Sequence, residues 1–474
     1  MSDEGADAQL ARLDEAVARD PGHAELRYAR ANLLAGLGRE EAAKADYLTA
    51  IALKPDHFGA LNDLGTLLYR TDFRSAARLA YAEAVRHHPN NPVGRINLGN
   101  ALLAEGQDAE AQAQFETALA LAPDHPDAHQ GMANLLQQKG DWQAAEVHRL
   151  RSYAGRTITH LPYRGSGAPC RALLLVSAAG GNTPTRFLLD ERLFETFVLP
   201  VEAFTAQSVL PGHHVVFNAV GDADLGAAAL DAAERVLART RAPVVNPPQR
   251  VRPTGRANNA ARLGRLPDVI APKIVAGPRG DIAAAAEILC YPVLLRSPGY
   301  HTGQHFVKVD GPGDLPAAMA SLPGPELLVI QYLDARDGQG LARKYRAMIV
   351  DGRVYPLHLA LSRDWKVHYF SAAMADSPGH RAEEAAFLAD MGAAVGQRAV
   401  SVLERIGAAL GLDYAGVDFA VAPDGRLQLF EANAAMVVAP PSPEPMWNYR
   451  RAAAARVIEA VQAMVMDRAG LGDL

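Results

Sequence analysis

The sequence predicts a multidomain chain: an all-α repeat solenoid, then a small α/β domain, then a larger α+β domain. Three observations carry this. Pro21, Pro55, Pro89 and Pro123 stand 34 residues apart, each after an apolar helix-like run such as ADYLTAIALKP or AQFETALALAP. Beyond residue 170, short apolar strands alternate with helical stretches, the pattern of a parallel α/β unit. Near the C-terminus, YAGVDFAVAPDGRLQLFEAN reads as two strands about an Asp-Gly turn, the second ending in Glu431, Ala432 and Asn433.

Composition bounds the function. A chain of 474 residues suggests about three domains. With 49% hydrophobic and 21% charged residues it is globular rather than disordered. A net charge of −6 supplies no electrostatic reason to expect nucleic acid or an anionic membrane as partner. Cys170 and Cys290 make neither a disulfide framework nor a thiolate metal site. The start, MSDEGADAQL, has no basic segment followed by an apolar one, and no run of about eighteen apolar residues occurs, so the expectation is a soluble cytoplasmic protein.

Within the 34-residue period the same chemistry recurs: Leu64-Gly65 and Leu98-Gly99, then Leu34, Leu68 and Leu102, then Ala43, Ala77 and Ala111, then Tyr47, Tyr81 and Phe115, then Ala50, Ala84 and Ala118. Small residues let two helices of a hairpin approach, and the aromatic fills the gap against the next. This resembles the tetratricopeptide repeat, as three full copies with a half-copy at each end, in a domain covering residues 1–155. The resemblance implies a concave groove for a peptide or protein partner, with Arg27, Arg30, Asn62, Arg95 and Asn100 as polar groove candidates. Packing against the rest of the chain, or a homodimer, is the alternative use.

The segment 156–170 is polar and rich in Gly and Pro, and reads as a linker. In 171–250, RALLLVS, TFVLPV, HHVVFNAV and APVVNPP read as strands, with helices at TRFLLDERLF and Leu225 to Thr240. The glycine pair after RALLLVS lacks the spacing of a dinucleotide fingerprint.

Residues 251–474 hold the chemistry. Residues two apart on a strand share a face, so Glu431 and Asn433 project together. A two-residue turn at Asp424-Gly425 sets Phe419 opposite Phe430 and Asp418 opposite Glu431, one face greasy and the other doubly acidic. Facing carboxylates repel. Hard oxygen donors from Asp418, Glu431 and the Asn433 amide suit Mg²⁺ holding a nucleotide phosphate, whereas the plain alternative is a solvated acidic hairpin.

From here the C-terminal two-thirds resembles the ATP-grasp family, whose GVDF strand, turn and strand ending in Glu-x-Asn match GVDFAVAPDGRLQLFEAN. The resemblance covers about residues 170–450 and implies ATP and Mg²⁺ as cofactors, a pre-ATP-grasp domain at 171–250 and a lid at about 270–325. PVLLRSPGYHTGQHFVKV looks like the strand, glycine loop and strand over the triphosphate, with Gly299 and Gly303 admitting close backbone approach. ELLVIQYLD looks like the hinge at adenine and ribose, through Gln331, Tyr332, Leu333 and Asp334. KYRAMIVDGRVYPLHLAL looks like the central hairpin whose arginine meets the transferred phosphate. Arg296 stands where the family usually has a lysine, Arg256 falls near the earlier phosphate-binding lysine, and Gln331 replaces a frequent Glu. Arginine still binds phosphate, bidentately and always charged. Lys273 is a second candidate for phosphate neutralisation, or an exposed edge lysine.

A tight turn at Asp351-Gly352 places Lys344 and Arg346 on one face and turns His358 away, to a packed or hydrogen-bonded place in the core, unless the loop slips by one. His301 and His305 read as phosphate or substrate contacts, or as solvated lid residues. The resemblance thus implies an ATP- and Mg-dependent ligase that activates a carboxylate as acyl phosphate and joins it to an amine, on a small molecule or on a peptide recruited by the repeats, with Arg346, Lys344 and Arg296 catalytic. The alternatives are a small-molecule kinase of the same architecture, and a repeat scaffold with a degenerate, regulatory nucleotide domain.

Overall fold

The computed structural model describes residues 3–71, 73–139, 141–152, 158–298, 305–367, 374–442 and 444–472. The chain divides into two compact units, Met1–Gly155 and Arg156–Leu474. No helix among the described residues is long and apolar enough to cross a membrane.

The first unit is helical: α1 (Asp3–Arg19), α2 (Ala24–Gly36), α3 (Glu40–Leu53), α4 (Phe58–Arg70), α5 (Arg74–His87), α6 (Pro92–Ala104), α7 (Asp108–Leu121), α8 (Pro126–Gln138) and α9 (Trp142–Ser152). The hairpins are α2/α3, α4/α5, α6/α7 and α8/α9, so α9 completes the copy expected to be half at the C-terminal end. Each in-phase proline follows a helix end, where it cannot prolong the helix. Side chains of His57 and Asn91 cap the next helices, accepting from Ala60 N at 3.2 Å and from Val93 N at 2.9 Å.

Small residues meet aromatics as the repeat chemistry requires. A Cβ on Gly65 would lie 2.6 Å from the Tyr81 ring, and one on Gly131 only 2.3 Å from the Phe115 ring. Four groove candidates are tied within the array. Arg27 and Arg30 both donate to buried Asp46, Asn62 accepts from Asn97 at 2.7 Å, and Arg95 donates to Gln114 at 2.9 Å, while Asn100 is half-buried.

Among its described residues the second unit holds three sheets. In the first, β1 (Thr159–Leu161), β2 (Cys170–Val176), β3 (Phe194–Pro200), β4 (Val215–Asn218) and β5 (Val244–Val245) run in the order β1-β3-β2-β4-β5, parallel except for β1. Part of the expected linker is therefore an edge strand. TRFLLDERLF, expected as a helix, forms two successive turns instead: Asp190 in its middle accepts from Arg192 N at 2.8 Å, a local bond that competes with helix propagation.

The other strands are β6 (Val269–Ile270), β7 (Ile274–Pro278), β8 (Val293–Arg296), β9 (Phe306–Val309), β10 (Glu326–Gln331), β11 (Ala342–Val350), β12 (Arg353–Ser362), β13 (Tyr414–Val421) and β14 (Leu427–Asn433). They form an antiparallel sheet β7-β10-β8-β9 and a sheet β12-β11-β13-β14-β6. One apolar core joins the first and third sheets, through Leu173, Leu199, Phe387, Ile406 and Phe419. The β7-β10-β8-β9 sheet has a small core of its own around Ile282, Leu295 and Leu327. The helix Gln397–Leu410 buries Ala399, Val402, Leu403, Ile406 and Leu410, a single helical stripe.

Candidate functional site

Two bulges set the register of the site. Ala422 and Arg426 extend the β13–β14 pairing, Ala422 N to Arg426 O at 2.9 Å, and leave a three-residue loop, Pro423 to Gly425, closed by Gly425 N to Ala422 O at 2.8 Å, with Gly425 at φ +81°. Pro423 presets the first central position of a type I turn, so the two-residue turn expected at Asp424-Gly425 does not form. Phe419 consequently pairs with Leu429 rather than Phe430, and the bulge at Phe430 restores the pairing of Asp418 with Glu431 and of Gly416 with Asn433. Phe430 turns to the same cavity as the carboxylates.

The β11–β12 turn is the expected Asp351-Gly352, both residues at positive φ, and Met348 pairs with Tyr355 as expected. Beyond Ala347 and Pro356 the register shifts by one, and His358 comes to lie opposite Arg346. This corrects the expectation that His358 faces away. Pro356, on an edge strand, offers no N–H to the ladder, and a bulge is where such a residue is tolerated.

These strands wall a cavity of about 720 Å³ that also takes in the apolar side chains of Ile274, Leu294 and Ile330 from the β7-β10-β8-β9 sheet. Asp418 is 1% exposed. Arg346 grips it with Nε to Oδ1 at 2.6 Å and Nη2 to Oδ2 at 2.9 Å, and Lys344 Nζ lies 2.7 Å from Oδ2. Burial alone would raise this carboxyl, but Arg346 and Lys344 hold it far below the ordinary range. Glu431 accepts from Arg256 Nη2 at 2.5 Å and from Asn433 Nδ2 at 2.9 Å. Its pKa too is lowered, burial being outweighed by Arg256 and Arg296. Arg296, buried on β8, has its pKa brought down to about 10 by burial and by Arg256.

Arg256 opens the helix Arg256–Leu263, and its backbone N donates to Asp224 at 2.8 Å. Burial raises the Asp224 carboxyl. His358 is held well below its usual value by burial and by Arg346, and stays neutral.

Gln331, Tyr332, Leu333 and Asp334 all line the cavity. The Gln331 amide accepts from Lys273 N at 3.2 Å, and Asp334, ion-paired with Arg336 at 2.6 Å, falls to about 2. Lys273 is exposed and stands outside the residues that line the cavity, the place of the edge-lysine alternative. Gly299, His301 and Gly303 lie outside the described residues. The His305 carbonyl accepts from Ser297 N at 3.1 Å, beside the start of β9.

Sequence reasoning missed Trp447 and Arg450 from the turn Pro445–Arg450, Phe306, Trp365, and the loop residues Gly181 and Asn182, all of which line the cavity. The glycine pair after β2 was the one available signal for this loop.

Four cations, Arg256, Arg296, Lys344 and Arg346, thus surround the facing carboxylates Asp418 and Glu431, and Asp222 and Asp224 act on Arg256 and Arg296 as well. A cluster of arginines and a lysine suits the oxygens of a polyphosphate. Among the described residues no group of three or more His, Cys, Asp or Glu side chains could hold a metal, so an ion here would rest on Asp418, Glu431 and Asn433. The donors fit. A carboxylate has about four lone-pair sites, of which Asp418 uses three and Glu431 two, and Asn433 Oδ1 accepts one bond, from Ala435 N at 2.9 Å. Both carboxylates are already ion-paired with the chain's own cations, so a divalent ion fits together with an anion that draws those cations away.

The fold of the first unit defines a tetratricopeptide repeat array, and the tetratricopeptide repeat family matches at residues 24–57 and 102–148. A tetratricopeptide repeat and J domain-containing co-chaperone of Fusarium oxysporum f. sp. lycopersici is 31% identical over 120 residues, 24% of this chain, and the chain spans only 23% of that relative's length. MamA from Desulfovibrio magneticus RS-1 is similar at 22% identity and TM-score 0.30 over 31% of this chain and 84% of its own. PilW, a type IV pilus biogenesis factor, is similar at 21% identity and TM-score 0.30 over 32% of this chain and 70% of its own. Arrays of this class generally bind peptide or protein partners.

Proposed function

We propose that the second unit is an ATP- and Mg²⁺-dependent ligase of the ATP-grasp type, which activates a carboxylate as its acyl phosphate and joins it to an amine, and that the tetratricopeptide array recruits a peptide or protein substrate. The observation that carries this reading is the convergence of Arg256, Arg296, Lys344 and Arg346 on the facing pair Asp418 and Glu431, in a cavity also lined by the apolar Ile274, Leu294 and Ile330. In the first step a carboxylate oxygen bonds to the terminal phosphorus while that phosphorus parts from the bridging oxygen, leaving ADP. In the second the amine nitrogen bonds to the acyl carbon, phosphate departs with the C–O electron pair, and the nitrogen gives up a proton.

The chain's own residues supply what the first step needs. Arg346 and Lys344 stand ready to pass from Asp418 to phosphate oxygens, and buried Arg296 keeps its charge at neutral pH despite desolvation. Magnesium, when bound, neutralises polyphosphate oxygens, and Asp418, Glu431 and Asn433 would hold it. No general base is required for the first step, because a carboxylate is already nucleophilic.

ATP turnover by the full chain with candidate acids and amines tests the reading. Glu431→Ala is expected to abolish turnover while the fold persists by circular dichroism, and unchanged turnover overturns the assignment. Phosphate released free marks the ligase; phosphate retained on product marks a kinase. One observation favours a second reading, a regulatory nucleotide-binding domain without turnover: both carboxylates are already ion-paired to the chain's own cations. Mg-nucleotide binding without any turnover across the panel would support it.

A further inference from the structure

One position in each repeat closes the helix pair, and its chemistry changes along the array. Arg27 on α2 donates to Asp46 on α3 at 3.1 Å, Arg95 on α6 donates to Gln114 on α7 at 2.9 Å, and His129 on α8 meets His148 on α9 with Nδ1 to Nδ1 at 2.9 Å, the two members of each pair standing 19 residues apart. The α4/α5 hairpin has buried Leu61 and Ala80 at the same positions. We propose that the His129–His148 pair is an acid-sensitive clasp, whose second proton releases α9 from α8 while the other hairpins stay closed.

The carbonyl of Pro123 fixes where the hydrogens lie. His129 Nε2 is 2.8 Å from Pro123 O, just as Arg95 Nε is 2.7 Å from Pro89 O. A carbonyl only accepts, so Nε2 carries the hydrogen of neutral His129, and its Nδ1 accepts from His148 Nδ1. One proton can still enter at His148 Nε2 without disturbing that bond. A second must go to His129 Nδ1, which turns two donors on each other and sets two positive rings side by side, where His129 is only 2% exposed.

The rest of this hairpin is closed by polar contacts as well. The in-phase aromatics Tyr47, Tyr81 and Phe115 give way at the same position to Arg149, which is buried and donates to Gln137 at 2.6 Å, and Ser152 Oγ donates to Gln130 at 3.2 Å. Hence α9 depends more on its hydrogen bonds than α3, α5 and α7 do. It is also the last described helix of the first unit, so its release breaks no later hairpin of the array. At His129 burial lowers the pKa most, Arg151 on α9 and His125 add to this, and Pro123 O and Asp124 oppose it; at His148 burial, His129 and Arg151 all lower it. Asp127 lies in the first turn of α8, while on α6 and α7, which also pack on α8, Arg95 is bound to Gln114 and Glu116 to Gln112. A histidine depressed in the folded state contributes stability above about pH 6.5 and loses it as pH falls below that value.

Amide hydrogen exchange of the full chain, followed by mass spectrometry at about pH 7.5 and about pH 5 and corrected for intrinsic rates, is the test. On acidification α9 is expected to lose about tenfold more protection than α2 to α7. The double variant His129→Arg/His148→Gln installs the pairing that Arg95 and Gln114 make at the same position, and should abolish this acid loss. Should the double variant fail to fold, His148→Gln takes its place, because an amide can donate to neutral His129 and accept from the protonated ring. Unchanged protection of α9 in acid, equal loss across all the hairpins, or an acid loss in the variant as large as in the native chain overturns the inference.

Discussion

Asp418→Asn is the sharpest perturbation of the cavity, because one carboxylate answers two cations. In the native chain the Asp418 side chain is 1% exposed, while those of Arg346 and Lys344 are 20% and 19% exposed. Removing one member of a buried ion pair costs about 3–5 kcal/mol, mostly because a desolvated charge is left behind. Asparagine still accepts one hydrogen bond and the two cations keep some solvent, so the loss belongs near the lower figure, about 3 kcal/mol. At about 2–4 °C per kcal/mol for a domain of a few hundred residues, unfolding of the second unit should fall by about 6–12 °C. Scanning calorimetry, with fluorescence of Trp365 and Trp447 in a Trp142→Phe background to mark this unit, measures it.

Inorganic tripolyphosphate should stabilise the variant more than the native protein, since the anion replaces the missing charge. The pH dependence follows from the sign of the shift. A carboxyl depressed in the folded state contributes fully above its unfolded value of about 3.9 and loses that contribution as pH falls toward the folded value. The difference between native and variant should therefore be constant from about pH 5 to 8 and close only below about pH 4. A fall of less than about 2 °C, or equal stabilisation of both proteins by tripolyphosphate, would refute the reasoning.

Other outcomes follow from the same geometry. Mg²⁺ alone is expected to leave the melting temperature unchanged, whereas Mg²⁺ with nucleotide should add about 2.7 kcal/mol at one hundred times Kd, checked by thermal shift. His358 has a folded pKa below its unfolded value, so its contribution is present above about pH 6.5 and lost as pH falls below it. His358→Gln should flatten the stability profile between pH 6.5 and 5 by up to about 1.4 kcal/mol per pH unit, and an unchanged slope would count against the neutral assignment. Gly131→Ala places a methyl against the Phe115 ring and should cost the repeat array about 1–3 kcal/mol in urea unfolding, with the cavity unit unaffected.

The repeat array was legible in the sequence because its determinants are local and periodic. In-phase prolines end helices, and glycines lie under aromatic rings of the same hairpin or the next. The facing of Asp418 and Glu431 was legible from strand alternation, although Pro423 makes a three-residue loop and only the bulge at Phe430 restores that pairing. Arg346 and Lys344 were expected at the site from the side they share on β11, and both reach Asp418.

What residue order by itself determined is therefore the class of the first unit, the sheet-forming character of the second, and the side chains brought together by one hairpin. What only the tertiary structure decided is which charges meet across elements: Arg256 on Glu431, Arg450 beside Glu384, His358 opposite Arg346, and Lys273 outside the wall. The reason is physical. A bulge shifts every later side chain by one position for a small local cost, so register depends on the packing of both sheet faces. Ion pairs between residues far apart in the chain carry no local periodicity, and they form where folding withdraws charge from water.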